Sequence, residues 1–210
     1  MIPQFPVYLF DIDGTLLDSA PDICGAQSDV LAAAGCGEVS LDFLRGYIGL
    51  ELRAVFGKLL PNLSEAELAR LSEQYSLNYR ARRHAGTRLY PGVLEALSTL
   101  GGRKSTATTK STAGTRLVLE HFGLIQLFDH VQGSDGIPCK PAPDVVLAAM
   151  KALDAAPEEC LLVGDSPADM EAGRRAGVKI CAVRYGYGDP ADLARWAPDH
   201  WVSDLRELAG

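Results

Sequence analysis

Residues 10–16 read Phe10-Asp11-Ile12-Asp13-Gly14-Thr15-Leu16 and place two carboxylates two positions apart at the end of an apolar run. The run Val7-Tyr8-Leu9-Phe10 has the length and composition of a buried parallel strand, and Gly14 predicts where it ends. Side chains at positions i and i+2 of an extended chain point to the same side, so Asp11 and Asp13 are expected to share one small volume. Two like charges this close require a divalent cation, a lysine or a raised pKa on one of them.

The overall composition limits the classes of protein to which the chain can belong. Its 210 residues are 47% hydrophobic, which suits one hydrophobic core with a small additional domain. The net charge of -7 argues against a nucleic-acid partner, because Lys and Arg supply most of the affinity for phosphate backbones. We therefore expect a small-molecule ligand, with or without a metal.

The cysteine pattern and the distribution of apolar residues indicate where in the cell the protein is expected. Five cysteines, an odd number without C-x-x-C spacing, predict reduced thiols rather than a disulfide framework or a zinc site. No basic-then-apolar signal pattern opens the chain, and no apolar run approaches the ~18 residues of a membrane span. We expect a soluble cytoplasmic protein with no membrane partner, either a monomer or a homodimer.

The periodicity of apolar residues divides the chain into two parts. Residues 16–86 carry helical patterns without a strand signal, with caps predicted at Ser19 and at Ser64, the latter in a capping box with Glu67. Residues 1–15 and 87–210 instead alternate strand and helix signals, with further strands predicted up to Thr108 and over 128–132, 160–163, 178–183 and 201–202. The predicted fold is therefore α/β, a doubly wound parallel sheet with an inserted helical cap domain.

Three further polar residues, Thr108, Lys140 and Asp165, are predicted at the same edge of the sheet as the first two carboxylates. Taken singly, each has an ordinary structural explanation: a strand threonine, a solvated lysine beside a helix, and a turn former after glycine. The pair Asp11 and Asp13 also fits a polar turn in front of a helix. Together, however, the five residues supply a hydroxyl, a cation and three carboxylates, which are the groups needed to bind a phosphate and a hard divalent ion.

The order of these motifs along the chain resembles the haloacid dehalogenase-like superfamily of phosphotransferases. The resemblance rests on DIDGT at 11–15, the strand-end threonine, KPAPD at 140–144 and GDSPAD at 164–169. It spans the chain and implies a Rossmann-like core, Mg²⁺ as cofactor and a small phosphorylated metabolite as substrate. Within the superfamily the chain is similar to phosphoglycolate phosphatases, through its DIDGT start, Tyr185-Gly186-Tyr187-Gly188 and Pro198-Asp199.

The resemblance also implies a role for each motif residue. Asp11 would be the nucleophile and Asp13 the general acid/base, and Asp13 would also offer its backbone carbonyl to magnesium. Thr108 would bind phosphoryl oxygens, and Lys140 would neutralise charge there. Asp165 would bind magnesium beside Asp11, with Asp169 supporting that shell.

Two positions depart from the usual pattern of the superfamily. Thr109 replaces the common asparagine of the second motif, which shortens the reach of this predicted substrate-binding residue toward phosphate. The preceding strand, 103–107, is more polar than a central strand, and we expect it to be edge-like or partly solvated.

Substrate choice is expected to depend on the helical insertion. Arg45-Gly46-Tyr47-Ile48-Gly49 joins two predicted helices, and its glycines suit a close approach to a ligand. Arg45 and the nearby Arg53 can pair with a second anionic group, such as a glycolate carboxylate. Both arginines are equally compatible with solvated positions on helices.

The expected activity is magnesium-dependent hydrolysis of a small phosphomonoester, such as 2-phosphoglycolate, through an aspartyl-phosphate intermediate. A sugar-phosphate mutase of the same superfamily is the nearest alternative, although Gly164 stands where such mutases tend to carry Glu. Dehalogenases of the superfamily lack the second aspartate. A non-enzymatic, receiver-like phosphate-binding scaffold is a third alternative, but a receiver would not carry a helical insertion directly after its first strand.

Overall fold

The structure is a computed structural model that describes residues 2–209. The chain divides into two compact units, one made of Met1–Leu17 with Leu89–Gly210 and the other of Asp18–Arg88. Leu16 and Leu17, expected in the helical insertion, are fully buried in the core of the first unit. No helix within residues 2–209 combines the length and the apolar character that crossing a membrane would need.

A five-stranded parallel sheet forms the centre of the first unit. The strands of the chain are β1 (Val7–Phe10), β2 (Leu17–Asp18), β3 (Arg88–Leu89), β4 (Arg103–Thr106), β5 (Cys160–Gly164), β6 (Lys179–Val183) and β7 (His200–Val202). The order in the main sheet is β4-β1-β5-β6-β7, while β2 pairs with β3. The predicted parallel α/β fold is thus confirmed.

Helices account for most of the remaining chain. The α-helices within residues 2–209 are α1 (Ala20–Ala33), α2 (Leu41–Arg45), α3 (Leu52–Leu59), α4 (Glu65–Ala81), α5 (Val93–Thr99), α6 (Thr112–His121), α7 (Asp144–Ala152), α8 (Pro167–Ala176) and α9 (Pro190–Ala194). The first four belong to the unit Asp18–Arg88, and the other five belong to the first unit.

Both faces of the main sheet are buried, which explains why its central strands are almost entirely apolar. In β1, Tyr8 and Phe10 point into one hydrophobic cluster, and Val7 and Leu9 point into the other. Residues from α5 and α6 complete the first cluster, and residues from α7 and α8 complete the second. The sheet is therefore covered by helices on both faces, as the doubly wound pattern predicts.

The register of the sheet brings the ends of three strands to one level. Phe10 is paired with Thr106 of β4 and with Val163 of β5. Beyond these pairs, the Asp11 amide donates to the Val163 carbonyl at 3.0 Å, and the Ala107 amide donates to the Phe10 carbonyl at 2.8 Å. Polar residues that directly follow these strands consequently become neighbours in space.

The polar strand β4 lies at the edge of the sheet, as expected, but its hydroxyl groups are buried rather than solvated. Thr106 Oγ1 accepts from the Gln132 amide at 2.8 Å and donates to its carbonyl at 2.9 Å. The predicted strand over 128–132 is wrong, because this segment makes only a single bridge, from His130 to Ser105. The Asp129 carboxylate accepts from the Lys104 amide at 2.7 Å, and the Lys104 carbonyl accepts from the Asp129 and His130 amides at 2.9 and 3.2 Å, so side-chain and backbone bonds together hold the segment without a continuous ladder.

The helical unit confirms one of the two predicted caps. Ser64 and Glu67 form the capping box of α4, with the Glu67 carboxylate accepting from the Ser64 amide at 2.8 Å. The Ser19 side chain makes no such bond at α1. A capping hydroxyl accepts from the second or third amide of a helix; here Pro21 has no amide hydrogen, and the Asp22 amide donates to the Ser19 carbonyl at 3.2 Å.

Candidate active site

The six motif residues of the first unit are all buried, although all six are polar or charged. The set comprises Asp11, Asp13, Thr108, Lys140, Asp165 and Asp169. Buried charges are stable only when they are paired or coordinate a metal, so each requires a partner.

Lys140 connects two of the carboxylates. Its Nζ lies 2.9 Å from Asp11 Oδ1 and 2.5 Å from Asp169 Oδ1, and it donates to the Ala107 carbonyl at 2.9 Å. Burial alone would lower the pKa of Lys140, but the two carboxylates outweigh this effect and raise it. The ammonium group therefore stays charged and offsets part of the negative charge of Asp11 and Asp169.

The two carboxylate oxygens of Asp169 contact different partners. Oδ2 accepts from the Ser166 amide at 2.9 Å and from the Ser166 hydroxyl at 2.6 Å, in the capping box that starts α8. Oδ1 contacts Lys140. The start of α8 thus fixes the carboxylate that orients Lys140, and this bond network explains why Asp169 is fully buried.

Asp165 is surrounded by donors. Thr15 Oγ1 donates to Oδ1 at 2.9 Å, and the Tyr187 amide donates to Oδ2 at 2.9 Å. A Cβ atom at Gly14 or at Gly186 would overlap the Asp165 side chain. The glycines therefore allow the backbone to approach Asp165 closely, a role of the 185–188 segment that sequence reasoning did not assign.

Asp13 has a basic partner that sequence reasoning also missed. Lys110 Nζ lies 3.1 Å from Asp13 Oδ2, and the two side chains are 12% and 9% exposed. The available signal was a lysine two residues after Thr108, at a strand end already singled out. It was overlooked because a lysine in a polar loop is commonly solvated.

The loop that carries Thr108 is tied to a neighbouring segment. The Lys110 amide donates to Thr108 Oγ1 at 3.3 Å, and the Ser134 hydroxyl donates to the Thr108 carbonyl at 2.8 Å. Thr108 follows β4, the neighbour of β1, and is buried, whereas Thr109 is half-buried. The substrate contact expected of Thr109 stays a prediction.

The electrostatics of the cluster leave a deficit of positive charge. Four carboxylates face two lysines, which leaves two net negative charges if every group is ionised. Burial raises the pKa of Asp11 to about 6, against the opposing charge of Lys140, and the charges of neighbouring carboxylates add to the rise. Burial, followed by the charges of Asp169 and Asp11, raises the pKa of Asp165 well above its usual range.

A divalent cation would balance the two excess negative charges of the cluster. Asp11, Asp165 and Asp169 each offer one carboxylate oxygen, and these atoms lie within 4.8 Å of one another. Buried Asp11 Oδ1 lies 2.9 Å from Lys140 Nζ and has no other partner among the described residues, so it retains capacity for a ligand. Hard oxygen donors of this kind are those that magnesium and calcium prefer.

Arg45, the remaining predicted site residue, belongs to the unit Asp18–Arg88. It is the last residue of α2 and is exposed. Arg53, the other cation considered for this role, forms an ion pair with Glu65. The substrate contact of Arg45 stays a prediction.

Known proteins resemble this chain in both sequence and structure. The family profile described as haloacid dehalogenase-like hydrolase matches residues 8–183. The chain is 36% identical over 208 residues to a phosphoglycolate phosphatase of Nitrosospira multiformis, covering 95% of this chain and 92% of that protein. It is 34% identical over 212 residues to a phosphoglycolate phosphatase of Aquifex aeolicus, covering 93% and 98%.

A solved structure of a haloacid dehalogenase-like family hydrolase from Streptococcus pneumoniae superimposes with a TM-score of 0.88 at 26% identity, covering 97% of this chain and 96% of that one. The matched profile includes the buried carboxylates at the ends of β1 and β5 and the lysine that contacts Asp11 and Asp169. The chain belongs to the haloacid dehalogenase-like hydrolase family.

Proposed function

We propose that the chain is a magnesium-dependent phosphomonoester hydrolase that acts through an aspartyl-phosphate intermediate. The observation that carries the proposal is the convergence of Asp11, Asp13, Lys140 and Asp165 beyond adjacent strand ends, with one ammonium group bridging two carboxylates. The named activity of the relatives favours a phosphatase over a mutase. Their shared substrate also makes 2-phosphoglycolate the candidate for this chain.

The proposed reaction has two steps, both centred on phosphorus. An Asp11 oxygen attacks the phosphorus atom, the bond to the ester oxygen breaks, and the leaving oxygen takes a proton from Asp13. Asp13, now a carboxylate, accepts a proton from water while the water oxygen attacks phosphorus. The bond to Asp11 then breaks, its electron pair returns to the carboxylate, and inorganic phosphate leaves.

Positive charge has to come from several groups, because the site is crowded with carboxylates. Lys140 orients the Asp11 carboxylate and reduces its charge, and Thr108 offers a hydroxyl to the phosphoryl oxygens. Asp11, Asp165 and the Asp13 carbonyl would bind magnesium, with Asp169 supporting the shell. The ion would supply electrostatic stabilisation for the phosphoryl oxygens.

We also propose that the first unit is the catalytic core and that Asp18–Arg88 is the cap that selects substrates. The boundaries predicted from the sequence are 1–15 with 87–210 for the core and 16–86 for the cap. The structural division lies two residues later at each junction. A cytoplasmic location belongs to the same proposal, because the buried thiols Cys24, Cys160 and Cys181 suit a reducing compartment.

A panel of phosphometabolites tests the proposed function. We expect release of inorganic phosphate, with the highest kcat/KM for small phosphomonoesters that carry a carboxylate. An Asp11→Asn variant, checked for unchanged circular dichroism, serves as the control for contaminating phosphatases. Absence of phosphate release from every ester would refute the assignment.

The stabilisation of the protein by magnesium should depend on pH. In the metal-free protein the raised pKa of Asp11 means that the folded state binds a proton between about pH 4 and 6 that the unfolded chain has released. This group therefore stabilises the metal-free fold at low pH, and that contribution is lost as the pH rises through about 6. Magnesium must compete with the same proton.

We therefore expect saturating magnesium to raise Tm clearly at pH 7.5 and little at pH 5. Differential scanning calorimetry at both values, with and without the ion, measures the difference. Asp165→Asn should abolish the increase at pH 7.5, whereas Glu120→Gln, at an exposed position on α6, should preserve it. A pH-independent increase would contradict the assignment of these carboxylates as ligands.

Arg45 offers a separate test of the cap. Arg45→Ala should raise KM for 2-phosphoglycolate more than KM for a neutral aryl phosphate, because only the first has a second anion for the guanidinium to bind. Arg53→Ala is the matched variant, since Arg53 already pairs with Glu65. If the ratio of the two KM values is unchanged in the Arg45 variant, the cap does not recognise the second anion through this residue.

A further inference from the structure

Lys110 is a second ammonium group in the candidate site, on the side of Asp13 rather than that of Asp11. Its Nζ lies 3.1 Å from Asp13 Oδ2. Lys140, by contrast, contacts Asp11 and Asp169. The two lysines therefore serve different carboxylates, and Lys110 is associated with the one proposed to protonate the leaving group.

The main chain of Lys110 is fixed from two directions. Its amide donates to Thr108 Oγ1 at 3.3 Å, and its carbonyl accepts from the Ser134 amide at 3.1 Å. A Cβ atom at Gly133 would lie 2.5 Å from that carbonyl oxygen, so glycine is what lets the two segments approach so closely. The fixed backbone and the 12% exposure of the side chain together limit the positions that Nζ can reach.

The position of the leaving group follows from the proposed role of Asp13. A general acid must lie about 2.6–3.2 Å from the oxygen that it protonates. In an ester of a 2-hydroxy acid, the carboxyl carbon is two covalent bonds of about 1.5 Å each from that oxygen. A cation 3.1 Å from Asp13 can therefore also reach a carboxylate held at this distance from the ester oxygen.

We propose that Lys110 is a specificity-determining residue that binds the carboxylate of a phosphorylated 2-hydroxy acid. This inference rests on the proposed function and extends it, because it assigns recognition of the second anion to the core and defines its distance from the ester oxygen. Esters with the carboxylate one carbon further away would place it about 1.5 Å further from the ester oxygen and should bind Lys110 less well.

The test compares 2-phosphoglycolate with ethyl phosphate, an ester of the same backbone length without the carboxylate. Lys110→Met should lower the ratio of kcat/KM for 2-phosphoglycolate to kcat/KM for ethyl phosphate by about 10- to 100-fold, the usual effect of losing one charge-assisted hydrogen bond. Lys110→Arg should retain most of the ratio. Lys151→Met, at an exposed position on α7, is the control and should leave the ratio unchanged.

A binding measurement separates this inference from turnover. In an Asp11→Asn background, which cannot form the intermediate, calorimetric titration should show that Lys110→Met weakens binding of 2-phosphoglycolate and leaves that of ethyl phosphate unchanged. Should Lys110→Met fail to fold, Lys110→Gln replaces it in both measurements.

Three outcomes are distinguishable. Equal losses for both esters, which leave the ratio unchanged, would mean that Lys110 acts through Asp13 alone and would overturn the inference, as would kcat/KM values that change for neither ester. If the unmodified protein binds these esters but hydrolyses none, the proposed function fails while the binding comparison still decides the role of Lys110.

Discussion

Asp13→Asn is expected to slow hydrolysis of alkyl phosphates by about 10²–10⁴-fold, the usual contribution of general acid/base catalysis. Asparagine preserves the size of the side chain but cannot transfer the proton to the leaving oxygen or accept one from water. Both steps should therefore be slower. An aryl phosphate, whose leaving group needs less help from a proton, should lose less in the first step.

Rapid-quench single-turnover experiments with an aryl and an alkyl phosphate measure the first step separately from the second. Asp192→Asn, at an exposed position on α9 paired with Arg195, is the matched control and should behave as the unmodified protein. Equal losses for both esters in the first step would count against Asp13 as the acid.

Removal of divalent cations is expected to abolish activity, and magnesium should restore more of it than calcium. The physical reason is the excess of carboxylates: two lysines cannot neutralise four carboxylates and an incoming phosphate dianion. Calcium accepts longer bonds and higher coordination numbers, so it would misplace the attacking oxygen of Asp11.

Steady-state rates in excess chelator, followed by titration with each ion, measure this effect. Circular dichroism in chelator controls for loss of the fold. Full activity without any divalent ion would remove the basis for the metal assignment, and equal rates with calcium would remove the argument from coordination geometry.

Sequence reasoning succeeded where a single physical requirement decides the structure. β1 and β5 are buried on both faces, so their apolar runs and terminal glycine or aspartate identify them without tertiary information. A parallel sheet then brings their carboxyl ends to one edge, which is why Asp11 and Asp165 could be placed together before the structure was known.

Sequence reasoning failed where a segment contacts the sheet through side-chain bonds and a single backbone bridge instead of a ladder. Segment 128–132 has the composition of a strand, but Asp129 and Gln132 bind the edge of β4 through individual bonds. The contact between Lys110 and Asp13 and the packing of Gly186 against Asp165 depend on loops that only the tertiary structure brings together. The lysine two residues after Thr108 is a local signal, but it does not identify Asp13 as its partner.

The central claim is that Asp11 carries the phosphoryl group, and trapping the intermediate tests it most directly. The Asp13→Asn variant should accumulate this intermediate because its breakdown is slowed. Acid quenching during turnover of an aryl phosphate, followed by peptide mass spectrometry, should reveal one added phosphoryl group on Asp11, and none in an Asp11→Asn, Asp13→Asn double variant. A phosphoryl group found on another residue, or an unmodified Asp11 during demonstrated turnover, would contradict the account.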